Sequence, residues 1–251
     1  MPLSTVSISC LYLAAGAYLF SLVSFVLCKE RMRDVCFFGG FLFHTISQVS
    51  RGWFIGIFTP IAMVEVNFFL PWCLAFLTLC LRFFTKEKQL GCSAIIPVLF
   101  FLLIALQCPK GVFPPSPQGQ TIFSPLFFLF EVPAQAFFVL GAWFAFQYLR
   151  REAEAGFFDS LIIWGFIFYS IAQVAGAIWC YLGWASLFNW SERHLQSAAI
   201  WCFYAAYIHL RFLYVRDMKR KAWFSIAGFA LLLLVIILGH LNEMNMPRLG
   251  L

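Results

Sequence analysis

Charge is what this sequence has least of. Only 11% of its 251 residues are charged, while 63% are hydrophobic and the mean hydropathy is +0.87. A soluble domain carries about a quarter charged residues, so this composition excludes an ordinary water-soluble fold. Catalytic and redox spacings are missing too. None of the nine cysteines forms a CxxC pair, so a zinc ribbon, a dithiol redox centre and CxxCH haem attachment all lack their residues. The cysteines fall mostly in apolar runs, where a thiol packs as a small hydrophobe. There is no P-loop and no GxGxxG, and the connections are too short for a nucleotide-binding domain. The first apolar run has no basic n-region and no A-x-A site, which predicts a retained span rather than a leader.

What is present is long hydrophobic runs and 33 phenylalanines. About 20 apolar residues cross a bilayer as a helix. The pattern predicts eight such spans, at 6–28, 35–51, 62–83, 91–107, 126–149, 160–182, 195–215 and 222–241. The expected fold is therefore all-α, a polytopic membrane helix bundle forming one integral membrane domain over 1–251. Lys29, Arg31, Arg33, Arg82, Lys86, Lys88, Arg150, Arg151, Arg211, Arg216, Lys219, Arg220 and Lys221 follow alternate spans. Thirteen of the seventeen basic residues thus share one side. The positive-inside rule puts that side in the cytoplasm and both termini outside. The net charge of +6 then reports orientation, not affinity for nucleic acid. Five prolines in Pro109–Pro125 predict an irregular external loop.

Ionisable groups inside a membrane are costly and mark function. His44, Glu65, Glu131 and His209 fall within the spans, and His194 and His240 at helix ends. At about 1.5 Å per residue, His44 and His209 lie roughly 13 Å and 9 Å from the basic face. Two neutral imidazoles at similar depth suit the axial positions of a haem iron, and Arg211 suits a propionate. His44 could equally hydrogen-bond a neighbouring helix. His194 reads as an external ligand or a solvated helix-terminal residue, and His240 as a ligand or an interfacial side chain. Glu65 and Glu131 read as acids lining an external pocket or as carboxylates favoured by a helix dipole.

The stretch LGWASLFNWSERHLQSAAIWCFYAAYIHLR, Leu182 to Arg211, resembles the tryptophan-rich signature of the cytochrome c assembly family. That family holds the CcsA/ResC-type proteins, with CcmC and HemX-like relatives. Its pattern is W-G-S-Y-W-S-W-D-P-K-E, then an apolar helix ending Y-A-x-Y-L-H-x-R. Trp184, Ser186, Trp190, Trp201, Tyr204, Ala205, Tyr207, His209 and Arg211 stand in that frame. Arg51, Trp53, Pro60 and Glu65 follow a second family segment, and FSPLFFLFEVPAQAFFVLGAWFAF resembles a third. Ser191, Glu192, His194 and Phe188 depart from the signature, and Glu131 replaces an expected external histidine.

The resemblance implies non-covalent haem b, with Trp184, Phe188 and Trp190 as an interfacial platform for the porphyrin. An aromatic belt at the membrane surface would present the same residues. It implies His209 as the ligand of an inner haem. His194, Glu131 and His240 would belong to an external site. It further implies an assembly factor rather than a classical enzyme, presenting haem to apocytochrome c beside a ResB-like membrane subunit and external thiol-reducing proteins. The setting would be membrane lipid, either a bacterial plasma membrane or an organelle membrane of bacterial descent, with the tryptophan-rich loop external. A HemX-like regulator of haem synthesis and a quinone-linked b-type cytochrome remain as alternatives.

Overall fold

The structure is a computed structural model. It describes residues 3–60, 63–84, 93–108, 121–150, 155–188, 190, 192–213 and 217–244. All regular structure among them is helical: α1 (Leu3–Val26), α2 (Glu30–Ile55), α3 (Met63–Phe84), α4 (Ile95–Gln107), α5 (Phe123–Leu149), α6 (Ala155–Trp184), α7 (Glu192–Leu213) and α8 (Met218–Met244). Each predicted span is one of these helices. Several helices begin before the apolar run does, α2 at Glu30 and α6 at Ala155. Hydropathy cannot see those turns, because Glu, Arg and Ala are polar or small but favour helix. Most of the proline-rich loop, 109–120, lies outside the described residues.

Four described helices are long and apolar enough to cross a membrane, α1, α3, α5 and α6, and α4 is a shorter apolar helix. The other three are more polar. α2 carries His44, Ser47, Gln48 and Arg51, α7 carries Gln196 and His209, and α8 opens on Lys219, Arg220 and Lys221. The buried ones among these, such as His44, Ser47 and Arg51, need company inside the bundle, since lipid offers no hydrogen-bonding partner.

α1 and α2 form a close antiparallel hairpin. α2 then ends where Gly56 turns left-handed at φ 82° and donates its N–H to the Gly52 carbonyl at 2.9 Å. Only glycine takes that conformation without strain. α5 is the central helix, packed against α3, α6 and α8. Its inward face includes the fully buried Phe128, Phe138 and Leu140. Phe138 stacks on Tyr204 of α7, with centroids 3.5 Å apart and planes within 3°. Gly165 of α6 lets the Phe138 ring approach closely. At the basic end, Tyr207 donates its hydroxyl to Asp159 Oδ1 at 2.8 Å, and Lys221 Nζ lies 3.6 Å from the same oxygen. That buried trio joins α6, α7 and α8.

A methyl group at Gly165 would stand 2.7 Å from Phe138 Cε1, while one at Gly156 on the same helix meets nothing within 4 Å. Tyr204, stacked on the same ring, restricts how far Phe138 can move. Gly165→Ala is therefore expected to destabilise the bundle by about 1–3 kcal/mol. Gly156→Ala should be neutral or stabilising by up to about 1 kcal/mol. Thermal unfolding of both variants in detergent checks the pair.

Candidate functional site

The last turns of α6 and the first turns of α7 meet at the end of the bundle opposite Asp159 and Lys221. α6 runs to Trp184 and stops at Ala185, which adopts φ 54°. The chain then turns through Ser186, whose hydroxyl donates to the Phe188 carbonyl at 2.7 Å. α7 starts at Glu192, so His194 belongs to its first turn rather than to a preceding loop.

A cavity of about 330 Å³ opens here between α5, α6, α7 and the connecting loop. Phe127, Trp179, Trp184 and Phe188 form most of its aromatic wall, and Gln173 and His194 bring polar groups to it. The rings meet edge to face. Trp179 and Trp184 stand 6.2 Å apart at 65°, Phe188 and His194 5.7 Å at 74°, and Phe188 and Trp190 5.3 Å at 88°. Trp190 is 81% exposed and sits on the outer side of Phe188. Gln173 keeps its amide Nε2 buried without a hydrogen-bond partner among the described residues, a donor beside an otherwise apolar hollow. The volume and the apolar walls with few polar groups are typical of a small-molecule or cofactor site.

Among the expected site residues, Trp184, Phe188, Trp190 and His194 are thus brought together. Glu131 is not at the cavity. It lies two turns into α5 and is only 3% exposed, so it does not sit in a first turn where a helix dipole would favour it. The apolar run begins at Leu126, but the helix already begins at Phe123. Arg211 and His240 fall in α7 and α8, with side chains outside the described residues. His209 is exposed on α7 and donates Nδ1–H to the Ala205 carbonyl at 2.8 Å, leaving Nε2 as its basic nitrogen. His44 lies elsewhere, wholly enclosed where α2 meets α1 and α3. No ring contact or hydrogen bond joins it to His209 among the described residues.

Haem fits these positions unequally. Flat rings and an imidazole around an apolar hollow suit a porphyrin. His44 offers iron no approach, because its ring has no exposed surface and Nε2 is bonded to the Phe68 carbonyl at 3.3 Å.

Sequence reading missed Phe127, Gln173, Trp179 and Cys180. A signal existed in α6. Gln173, Gly176, Ala177 and Cys180 recur at helical spacing before Trp184, a stripe of small and polar residues in a helix whose exposed positions include Ile171, Val174 and Tyr181.

A methyl group at Gly176 would stand 2.9 Å from Phe127 Cδ2. Unlike Phe138, this ring has the cavity to move into. Gly176→Ala is expected to lower stability by only about 1 kcal/mol, less than Gly165→Ala, and to shift the emission of nearby Trp179. Thermal melts and tryptophan fluorescence read both effects.

The sequence model of a family described as "Cytochrome C assembly protein" matches residues 60–242. Cytochrome c biogenesis protein CcsA of Prochlorococcus marinus (strain MIT 9515) is 32% identical over 84 residues, 34% of this chain and 27% of that protein. The CcsA of strain MIT 9312 is 31% identical over 101 residues, 40% of this chain and 31% of that protein. The matched stretches thus cover about a third or less of these relatives' length. Among solved structures, Cytochrome c Heme Lyase CcmF superposes with a TM-score of 0.74 at 15% identity, over 95% of this chain and 47% of that one. That likeness concerns the fold.

Proposed function

The chain belongs to the cytochrome c assembly protein family, and from that premise we propose that it binds haem at the aromatic cavity and presents it for attachment to apocytochrome c. The observation that carries this reading is the cavity itself. The degenerate tryptophan-rich stretch is folded around a hollow of about 330 Å³, with His194 at its wall. In this reading His194 supplies an axial nitrogen. Trp179, Trp184 and Phe188 hold the ring plane and exclude water. Gln173 donates a hydrogen bond from the membrane side. Haem b, held without a covalent bond, is the cargo. The cavity lies at the external end, as the basic residues at the other end of the helices favour. Trp190, exposed on the rim, is placed to meet a partner. Apocytochrome c, a ResB-like membrane subunit and external thiol-reducing proteins are the partners the family role calls for. His209, on the exposed side of α7, could hold a second haem with a ligand from outside this chain.

One observation favours a second reading. Glu131, at the position where the family pattern expects an external histidine, is buried and is not among the residues that line the cavity. A chain with half of its external ligand pair would suit a HemX-like regulator of haem synthesis.

The test is haem titration of the purified chain in detergent, followed by absorption spectroscopy. His194→Ala is expected to weaken binding tenfold or more, by analogy with the roughly 10–100-fold losses for supporting residues of metal sites. Ala177→Phe, which fills the hollow, should block binding with the fold intact. Trp184→Ala should cost a few-fold, about 0.5–1.5 kcal/mol of ring contact. A folded chain whose haem absorption is the same in Ala177→Phe as in the parent would overturn the cavity reading. Altered tetrapyrrole precursor levels on deletion, without loss of holocytochrome c, would select the regulator instead.

A further inference from the structure

Pro71 interrupts the middle of α3. It has no N–H for the Asn67 carbonyl, and its ring forces that turn of helix open. In water such a break is hydrated. In a bilayer the freed groups must be met by neighbouring helices. Here α2 lines the opened turn with three polar positions on one face, which reach the carbonyl next to that of Asn67 and a side chain beyond the proline. Gln48 donates Nε2–H to the Phe68 carbonyl at 2.7 Å, and His44, one turn earlier, reaches the same oxygen through Nε2 at 3.3 Å. Thr45 Oγ1 accepts the indole N–H of Trp72 at 3.0 Å, on the far side of the proline. The break is therefore held from both sides.

The rest of the His44 environment points the same way. The ring is fully buried, with Tyr18 of α1 edge-on at 6.2 Å. Tyr18 lies against Gly40, where an added methyl would stand 2.9 Å from its ring, so α1 seals the pocket over the imidazole. A carbonyl partner fixes the proton on Nε2 and leaves Nδ1 as a bare acceptor. Nδ1 has no hydrogen-bond partner among the described residues, and the enclosed ring leaves a metal no path to it.

We propose that His44 is not a haem ligand but one arm of a polar clamp, with Thr45 and Gln48, that holds α2 against the proline break of α3. The clamp fixes the direction of the first two turns of α3. Those turns carry Glu65, which is 3.8 Å from Arg51 Nε, and Phe68, whose ring lies 4.5 Å under the Arg51 guanidinium. The clamp does not depend on haem binding at the aromatic cavity, and its test is read separately.

A double-mutant cycle on the full chain in detergent decides it. Pro71→Ala restores the missing N–H and closes the turn. If His44 serves the break, His44→Ala lowers the melting temperature by several degrees in the parent and by less than half as much in the Pro71→Ala background. His44→Gln, which keeps a donor but not an imidazole ligand, recovers most of the loss. Haem bound per chain and the absorption spectrum stay unchanged in His44→Gln. An equal thermal loss in both backgrounds overturns the clamp. So does a His44→Gln chain that melts normally but loses haem or changes its spectrum, the result expected of an iron ligand. If the parent carries no haem, the thermal cycle alone decides.

Discussion

A backbone or side-chain polar group in a bilayer has to find its partner inside the protein, because hydrocarbon supplies none. The polar positions of this bundle follow from that constraint. Pro71 breaks a helix, and Gln48 and His44 cover the carbonyl beside the break. Asp159 is buried, and Tyr207 and Lys221 converge on it from two other helices. Arg51 is buried, and it lies beside Glu65 and over the face of Phe68. Each cluster joins helices that follow one another in sequence, so satisfying polar groups also sets how neighbouring helices are arranged.

Apolar packing supplies the complementary half. Lipid tails are as apolar as the side chains, so association of helices rests on close contact rather than on escape from water. α5 illustrates this. Phe138 packs against both the bare backbone of Gly165 and the parallel ring of Tyr204. Small residues let the large rings approach, and the rings lock the position of α7. The aromatic cavity lies farther along the same three helices. There Gly176 and Ala177 again replace bulk; the Phe127 ring lies against Gly176, and a hollow remains beside it.

The contrast between the histidines follows from which side of a helix each occupies. His194 stands at a cavity wall, His209 on an exposed face, and His44 inside a sealed helix contact. Depth in the membrane can be counted from sequence, and it makes His44 and His209 look like a pair. The azimuth of a side chain around its helix decides what it touches, and it separates them.

The number of helices among the described residues, their order and their approximate limits were legible in the sequence, because twenty-residue apolar runs have one structural outcome in lipid. So was the family, through Trp184, Trp190, Tyr204, Tyr207 and His209 in their frame. The true helix ends were not legible, since Glu30 and Ala155 extend helices beyond the apolar runs. The candidate site was half visible. Trp184, Phe188 and His194 could be named from the loop, whereas Phe127, Gln173 and Trp179 line the cavity from other turns and another helix. Sequence determines which segments become helices, because that depends on local composition against the solvent. Tertiary structure alone decides which faces meet. The contacts of Phe68 with His44, and of Phe127 with Trp179, join residues whose separation along the chain carries no trace of their proximity.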